Sequence, residues 1–381
     1  MLGDAMKQFF NPPRIQPLPA GLYHRQSTPH DQPPYRLHLR LHPDGSGLLV
    51  VNASTVMHLN PTAAEYAFHF IKGSGAEAAA RQVSARYRVS RETARRDFEA
   101  FVARVESLVG AEDLDPVAFL DFDRVSPHAT SLSAPLRLDC ALTYRLPAGS
   151  SAEYAPSKRV DRELTTAEWI QVLDKAWQVG IPHVTFTGGE PTLRDDLVQL
   201  VRHAEGLGQV CGLLTSGLRL ADNAYLDDLL QSGLDHILFI LQPALPESWA
   251  ALETILPQDV FVTVHITVTN SNSGDALSYL DRLASVGCKS LSLSFTDPSI
   301  PAPILTNAAA NLGLSLKFDL PVPYSADNPV AREIAPDTAA DGAGTAWLYV
   351  EPDGDVLPAQ GMSDRLLGNL LRDAWDQIYR R

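Results

Sequence analysis

Cysteine is scarce in this chain: three among 381 residues, Cys140, Cys211 and Cys288. They are odd in number and about seventy residues apart. That spacing excludes a secreted disulfide framework and a CxxC-type zinc site. Long apolar runs are also missing, and none approaches the roughly 20 residues that a membrane-spanning helix requires. The N-terminal stretch Met1 to Phe10 lacks the basic-then-apolar order of a secretory signal, so a cytoplasmic protein is the expectation. Positive charge is in deficit, with 31 Lys and Arg against 45 Asp and Glu and a net charge of −14. A chain this acidic is a poor bulk ligand for nucleic acid or anionic membrane. What remains is an ordinary globular composition, 45% hydrophobic and 20% charged, long enough for two or three domains with cores of their own.

Seven of the 28 prolines fall in residues 1–34 and predict an extended surface arm. From Tyr35 the period changes to two. Tyr35, Leu37, Leu39 and Leu41 alternate with Arg36, His38, Arg40 and His42, and Asp44-Gly45-Ser46-Gly47 supplies turn chemistry, so a hairpin is expected over 35–60. His38, His42 and His58 are read as the polar face of a half-exposed strand rather than as metal ligands. Three helices follow. Asn60 and Pro61 open the first, Gly73-Ser74-Gly75 separates it from the second (76–87), and Ser90 caps the third. Residues 35–110 therefore read as a small winged-helix-like α+β domain, and 111–134 as a polar linker. Beyond the linker, strands at 136–143, 183–187, 210–215, 236–241, 260–268 and 290–295 alternate with helices at 165–179, 193–205, 222–231, 246–256, 273–286 and about 302–312. Six β-α units with apolar strands predict an α/β architecture with a parallel sheet, whose reactive groups sit at the C-terminal strand ends. A strand-turn-strand around Asp353-Gly354-Asp355 and a helix from about Leu370 complete the chain.

The second strand ends in Thr187-Gly188-Gly189-Glu190-Pro191. Two glycines after a strand permit close backbone approach, and Glu190 would place a carboxylate at the rim, where it could meet a ligand ammonium. Thr215-Ser216-Gly217 follows the third strand and Gly233-Leu234-Asp235 precedes the fourth. Over 135–320 these strings, in this order, resemble the radical S-adenosylmethionine (SAM) superfamily, which implies a partial (β/α)6 barrel and a SAM site at Gly188, Gly189, Glu190, Pro191 and Ser216. The superfamily also implies a Cys-x3-Cys-x2-Cys loop after the first strand, in which three thiolates hold a [4Fe–4S] cluster. Here those positions carry Leu146, Ser150 and Glu153. Leu146 has no ligating atom, and the oxygens of the other two are hard donors. At about 3.3 Å per residue, Cys140 and Cys211 lie roughly 10–13 Å below the strand ends, as buried structural thiols. The C-terminal piece (321–381) resembles the cluster-binding extension of peptide-modifying relatives. Its frame Pro352-Asp353-Gly354-Asp355-Val356-Leu357-Pro358 and Gly368-Asn369 is kept, but Asp341 and Ala359 stand where that extension has cysteine.

Leu59-Asn60-Pro61-Thr62-Ala63-Ala64-Glu65 and the helices after it resemble the PqqD-like domain, or RiPP recognition element (RiPPs are ribosomally made, modified peptides). The resemblance implies capture of a leader peptide as an added strand. These readings combine into an expectation of a radical SAM-like pseudoenzyme. It would lack the [4Fe–4S] cluster, bind SAM weakly or not at all, and have no catalytic residue. It would serve as a peptide-binding or scaffolding partner of a cysteine-intact radical SAM enzyme or of a larger complex. Two other readings differ in class. One is a non-radical enzyme using Glu153 and Glu190 as paired carboxylates. The other is a winged-helix DNA-binding regulator, suggested by seven arginines against four acids in residues 81–106. The bland account of those arginines is a solvated helix face with pairs such as Arg95 and Glu99.

Overall fold

A computed structural model of the chain describes residues 18–27, 35–52, 55–110, 132–147, 160, 162–297, 299–317 and 342–379. The chain divides into two compact units, Met1–Ala129 and Thr130–Arg381.

The first unit is built on an antiparallel sheet in the order β1 (Gly21–Gln26), β2 (Arg36–Leu41), β3 (Gly47–Val51) and β4 (Thr55–Leu59). Alternation puts Leu37, Leu39, Leu49, Val51, Met57 and Leu59 on one face, packed with Ala64, Ala67 and Ile71 of α1 (Pro61–Ile71). Asn60 caps α1, its side-chain oxygen accepting from the Ala63 amide at 2.9 Å. The helices α2 (Ala76–Arg86) and α3 (Arg91–Gly110) close a second small core around Tyr66, Val83 and Phe98. On α3 the Arg95 guanidinium meets Glu99 at 3.2 Å, with both side chains exposed.

Two expectations for this unit need correction. The arm contains a strand: β1 pairs with β2 in the register Gly21↔Leu41 to Gln26↔Arg36. Between Pro19 and Pro29 lies a proline-free run, and there the backbone keeps the amides that a ladder needs. Residues 1–17 and 28–34 of the arm lie outside the described residues. Nor is β2 half-exposed. Arg36, His38 and Arg40 are buried along with its leucines, so alternation identified two faces without telling which one meets solvent.

The second unit is one ten-stranded sheet in the order β11-β10-β9-β8-β7-β6-β5-β12-β13-β14. Its parallel part comprises β5 (Arg137–Thr143), β6 (His183–Gly188), β7 (Val210–Thr215), β8 (His236–Ile240), β9 (Phe261–Val268), β10 (Ser290–Phe295) and β11 (Ser315–Lys317). These strands are connected by α4 (Thr166–Gln178), α5 (Leu197–Leu207), α6 (Asn223–Gln231), α7 (Pro246–Ile255), α8 (Ala276–Ser285) and α9 (Ala302–Asn311). The sheet has two edges, so the barrel is partial. One face buries Leu138, Val184, Leu213, Ile237, Val264 and Leu291 in a single core with the helices, Trp169 and Trp249 among them.

The C-terminal piece does not stand apart from the barrel. Its strand β12 (Trp347–Val350) runs parallel to β5, with Tyr349 opposite Asp139, and β13 (Asp355–Leu357) and β14 (Gly368–Asn369) extend the same sheet. The helix expected from Leu370 is the single turn α10 (Trp375–Ile378). Asn369 holds the chain before it, its side-chain amide donating to Asp353 O at 3.1 Å and to Asp355 Oδ1 at 2.8 Å. Helix α5 starts four residues later than its apolar spacing suggests, because Pro191–Leu193 forms a 3₁₀ turn first.

The opposite face of the sheet carries imidazoles. His183 and His236 face each other with Nε2 atoms 2.8 Å apart, and His265 lies further along between Ser292 and Thr267. Burial, assisted by the nearby Arg137 charge, pushes His236 down to about 4, and burial does the same to His265. Both are neutral in the folded chain at pH values where an unfolded chain would protonate them. Their contribution to stability is therefore complete above about pH 6.5 and is lost as the pH falls towards 4. Thermal melts between pH 7.5 and 4 check this. The melting temperature should fall across that window, and less steeply in His236→Gln and His265→Gln variants.

Candidate functional site at the C-terminal strand ends

The exits of β5, β6 and β7 are tied together by backbone and by one carboxylate. Gly188 has φ +129°, and a Cβ there would fall on the carbonyl oxygen of Thr143. A Cβ on Gly189 would strike the carbonyl of Arg145. Glycine at both places lets the chain leaving β6 run against the chain leaving β5. The contact is closed by Gly189 N donating to Thr143 O at 2.7 Å and Glu190 N donating to Arg145 O at 2.8 Å.

Glu190 does not stand at the rim as its sequence position suggests. It is buried, and both carboxylate oxygens are committed. Oε1 accepts from Thr192 N (3.1 Å), Thr192 Oγ1 (2.6 Å) and Thr215 Oγ1 (2.7 Å). Oε2 accepts from Ser216 N (2.8 Å) and Ser216 Oγ (2.6 Å). Five donors around one carboxylate repay its desolvation and bind the end of β6 to the end of β7. Pro191 is buried at the start of the 3₁₀ turn. Of the residues expected to form the site, Gly188, Gly189, Glu190, Pro191 and Ser216 are thus assembled in one place, as a clasp. Glu190 has no oxygen left over for a second carboxylate's proton chemistry. Its proposed partner Glu153 lies outside the described residues, as do Ser150 and Asp341. Leu146 is half-buried just after β5, and Ala359 is buried after β13.

Motif reading missed a second set of groups. Arg194, buried, chelates Asp196 (2.8 and 2.6 Å) and donates to Leu164 O at 3.0 Å, fixing the segment before α4. Thr143 Oγ1 donates to Glu163, which has Arg145 3.6 Å and Arg194 3.8 Å away. Tyr144 donates to Glu351 Oε1 at 2.9 Å beside Tyr349, linking the exit of β5 to that of β12. Apart from the Arg194–Asp196 pair, two residues apart, these contacts have no local sequence signature, since they join positions distant along the chain.

The three cysteines are buried within or below the sheet. Cys140 and Cys211 share the helix-facing core. Burial next to Asp139 pushes the Cys140 thiol up, and burial holds Cys288 at about 11. Among the described residues no group of three His, Cys, Asp or Glu side chains is placed to hold a metal ion.

Residues 140–253 match the Radical SAM superfamily, and residues 38–107 match Coenzyme PQQ synthesis protein D (PqqD). The chain is 30% identical to the PqqA peptide cyclase of Methylobacterium sp. (strain 4-46), over 60% of this chain and 67% of that protein. It is 28% identical to the PqqA peptide cyclase of Ruegeria pomeroyi, over 66% and 76%. Among solved structures, Streptococcus suis SuiB superimposes with a TM-score of 0.60 at 16% identity, covering 90% of this chain and 87% of that one. SuiB bound to S-adenosylmethionine gives 0.57 at 15% identity, with the same coverage. At such identities the likeness concerns the fold, a partial (β/α)6 barrel preceded by a small α+β domain.

These relatives overturn the expectation of a pseudoenzyme acting as a scaffold, because the curated proteins that the chain resembles are named as peptide cyclases. They equally overturn the expectation that no cofactor is used, since the matching superfamily is defined by SAM and its iron–sulfur cluster. The thiols of this chain do not themselves fit such a cluster. All three are buried, with protonated sulfurs turned towards backbone carbonyls such as Ser290 O, 3.4 Å from Cys288. No chemical step is therefore derived through a cluster.

The clasp makes a stability prediction. Glu190→Gln turns one acceptor into a donor facing donors, and should lower unfolding free energy by about 1–3 kcal/mol in urea denaturation. Gly189→Ala should destabilise as well, through backbone displacement. A Glu190→Gln variant as stable as the parent would mean that the carboxylate is not held in this way.

Proposed function

From a chain that belongs to the radical SAM superfamily and carries an N-terminal PqqD-like domain, we infer a protein that acts on a peptide. The first unit captures the peptide, and the C-terminal strand ends of the second are where it is modified with SAM as cosubstrate. The observation that carries this reading is the combination, in one chain, of the two matched families with relatives named for a peptide substrate. A solved structure of SuiB bound to its precursor peptide SuiA, with a TM-score of 0.57, is in keeping with it.

The first unit has the physical means for peptide capture. Its sheet has β1 and β4 as outer strands. An outer strand offers backbone donors and acceptors to an extended chain, so affinity can arise from main-chain hydrogen bonds with little demand on side-chain identity. In the second unit, the Gly188–Ser216 clasp is the part that would border SAM. Its own residues hold positions rather than protons. Glu190 keeps the ends of β6 and β7 together, and Arg194 pins the connection that enters α4. Among the described residues no helix is long and apolar enough to cross a membrane.

Peptide capture is testable without knowing the peptide. The full chain, affinity-purified from its native host, should carry one enriched ribosomal peptide detectable by mass spectrometry. A chain lacking residues 1–110 should lose it, and incubation with SAM should change that peptide's mass. Equal peptide content in both preparations would contradict the assignment of capture to the first unit.

A further inference from the structure

The helix-facing side of the barrel sheet is apolar but for Thr215 at the end of β7, whereas its inner face changes character from strand to strand. On β7 and β8 the inward residues Leu214, Leu238 and Ile240 form a small apolar cluster. On β9 and β10, beyond the exposed Phe261 at the start of β9, the inward residues are hydroxyls or an imidazole: Thr263, His265 and Thr267 on one, Ser290, Ser292 and Ser294 on the other. All but Ser294 are buried, and His265 is only 1% exposed. The strips are in register, with Leu238 opposite Thr263 and Ser290 beyond it, then Ile240 opposite His265 and Ser292 beyond that.

Burying five polar side chains where leucines would pack costs free energy unless each finds a partner. They find partners chiefly in one another. Thr263 Oγ1 and Ser290 Oγ are 2.9 Å apart, His265 Nδ1 and Ser292 Oγ 3.0 Å, and His265 Nε2 and Thr267 Oγ1 3.2 Å. A hydroxyl can make more than one such bond, so the ladder retains hydrogen-bonding capacity. An independent sign comes from β6, where Thr187 is 1% exposed and its Oγ1 has no hydrogen-bond partner. Thr187 follows helix-facing Phe186 and so belongs to the same inner face. Thr187 thus adds to the inner face, with two strands between it and the ladder, a buried hydroxyl with unused hydrogen-bonding capacity.

We propose that the β9–β10 wall binds an uncharged, hydrogen-bonding side chain of the peptide substrate, positioned by His265 between Ser292 and Thr267, with Leu214, Leu238 and Ile240 taking its hydrocarbon part. The proposal rests on the peptide reading above and adds a specificity to it. The wall itself carries no formal charge, and burial keeps the imidazole neutral. A carboxylate or ammonium entering it would lose hydration without gaining a counter-charge.

The test uses the full chain labelled with ¹⁵N-histidine, titrated separately with N-acetyl methylamides of Gln, Ser, Leu, Glu and Lys, and with adenosine. The imidazole signal that disappears in His265→Gln identifies the site. It should shift with the Gln and Ser compounds and respond about tenfold more weakly to Glu and Lys. The response should fall several-fold in Ser292→Ala and Thr267→Val variants of unchanged circular dichroism. No shift, equal shifts for charged and neutral compounds, or a response to adenosine alone would overturn the proposal. Peptide co-purification reports on the first unit independently, so a captured peptide with a silent His265 would sink this inference and leave the broader reading standing.

Discussion

The carboxylate of Glu190 is the constraint on which the candidate site depends. A buried, ionised side chain is costly unless its lone pairs are filled, and here five donors from two loops fill them. The requirement runs in both directions. Thr192, Thr215 and Ser216 must come to Glu190 for its charge to be tolerated, and by coming they bring the ends of β6 and β7 together. Gly188 and Gly189 complete the arrangement by letting β5's exit lie against the same turn. A string of five residues thereby sets the relative positions of three strand ends.

Around that clasp the sheet has two solvents. One face meets helices and is filled with Leu, Ile, Val and Trp169. The other is graded, with the Arg137–Asp139 pair on β5, the His183–His236 contact between β6 and β8, an apolar strip on β7 and β8 and a hydroxyl ladder on β9 and β10. Such asymmetry is hard to explain as packing, since a barrel interior that served only stability would be filled by branched apolar residues. The gradient matches a molecule with an apolar body and an uncharged polar edge.

Much of this architecture was legible in the chain. Strand and helix alternation from Leu136 onward located all six β-α units, because apolar strands and capped amphipathic helices are local signals. Asn60-Pro61 fixed the start of α1 for the same reason. Elements set by distant partners were not legible. β1 is a strand because β2 is beside it, β12 belongs to the barrel because β5 is beside it, and Arg36, His38 and Arg40 are buried for reasons outside their own segment. The Gly-Gly-Glu-Pro string was conspicuous, but which atoms Glu190 would meet could not be read, since Thr215 and Ser216 are 25 and 26 residues away. The functional reading failed differently. The residues Leu146, Ser150 and Glu153 in place of cysteine argued for a silent protein, whereas the chain's likeness to named peptide cyclases weighs against that conclusion.

Amide hydrogen exchange at Thr192 and Ser216 tests the clasp most directly. If both N–H groups are bonded to a buried carboxylate, they should exchange only with global opening, as slowly as amides in the middle of β6 and β7. Exchange near the rate of an unstructured peptide at either position would show that Glu190 is not gathering the strand ends, and the account built on it would fail.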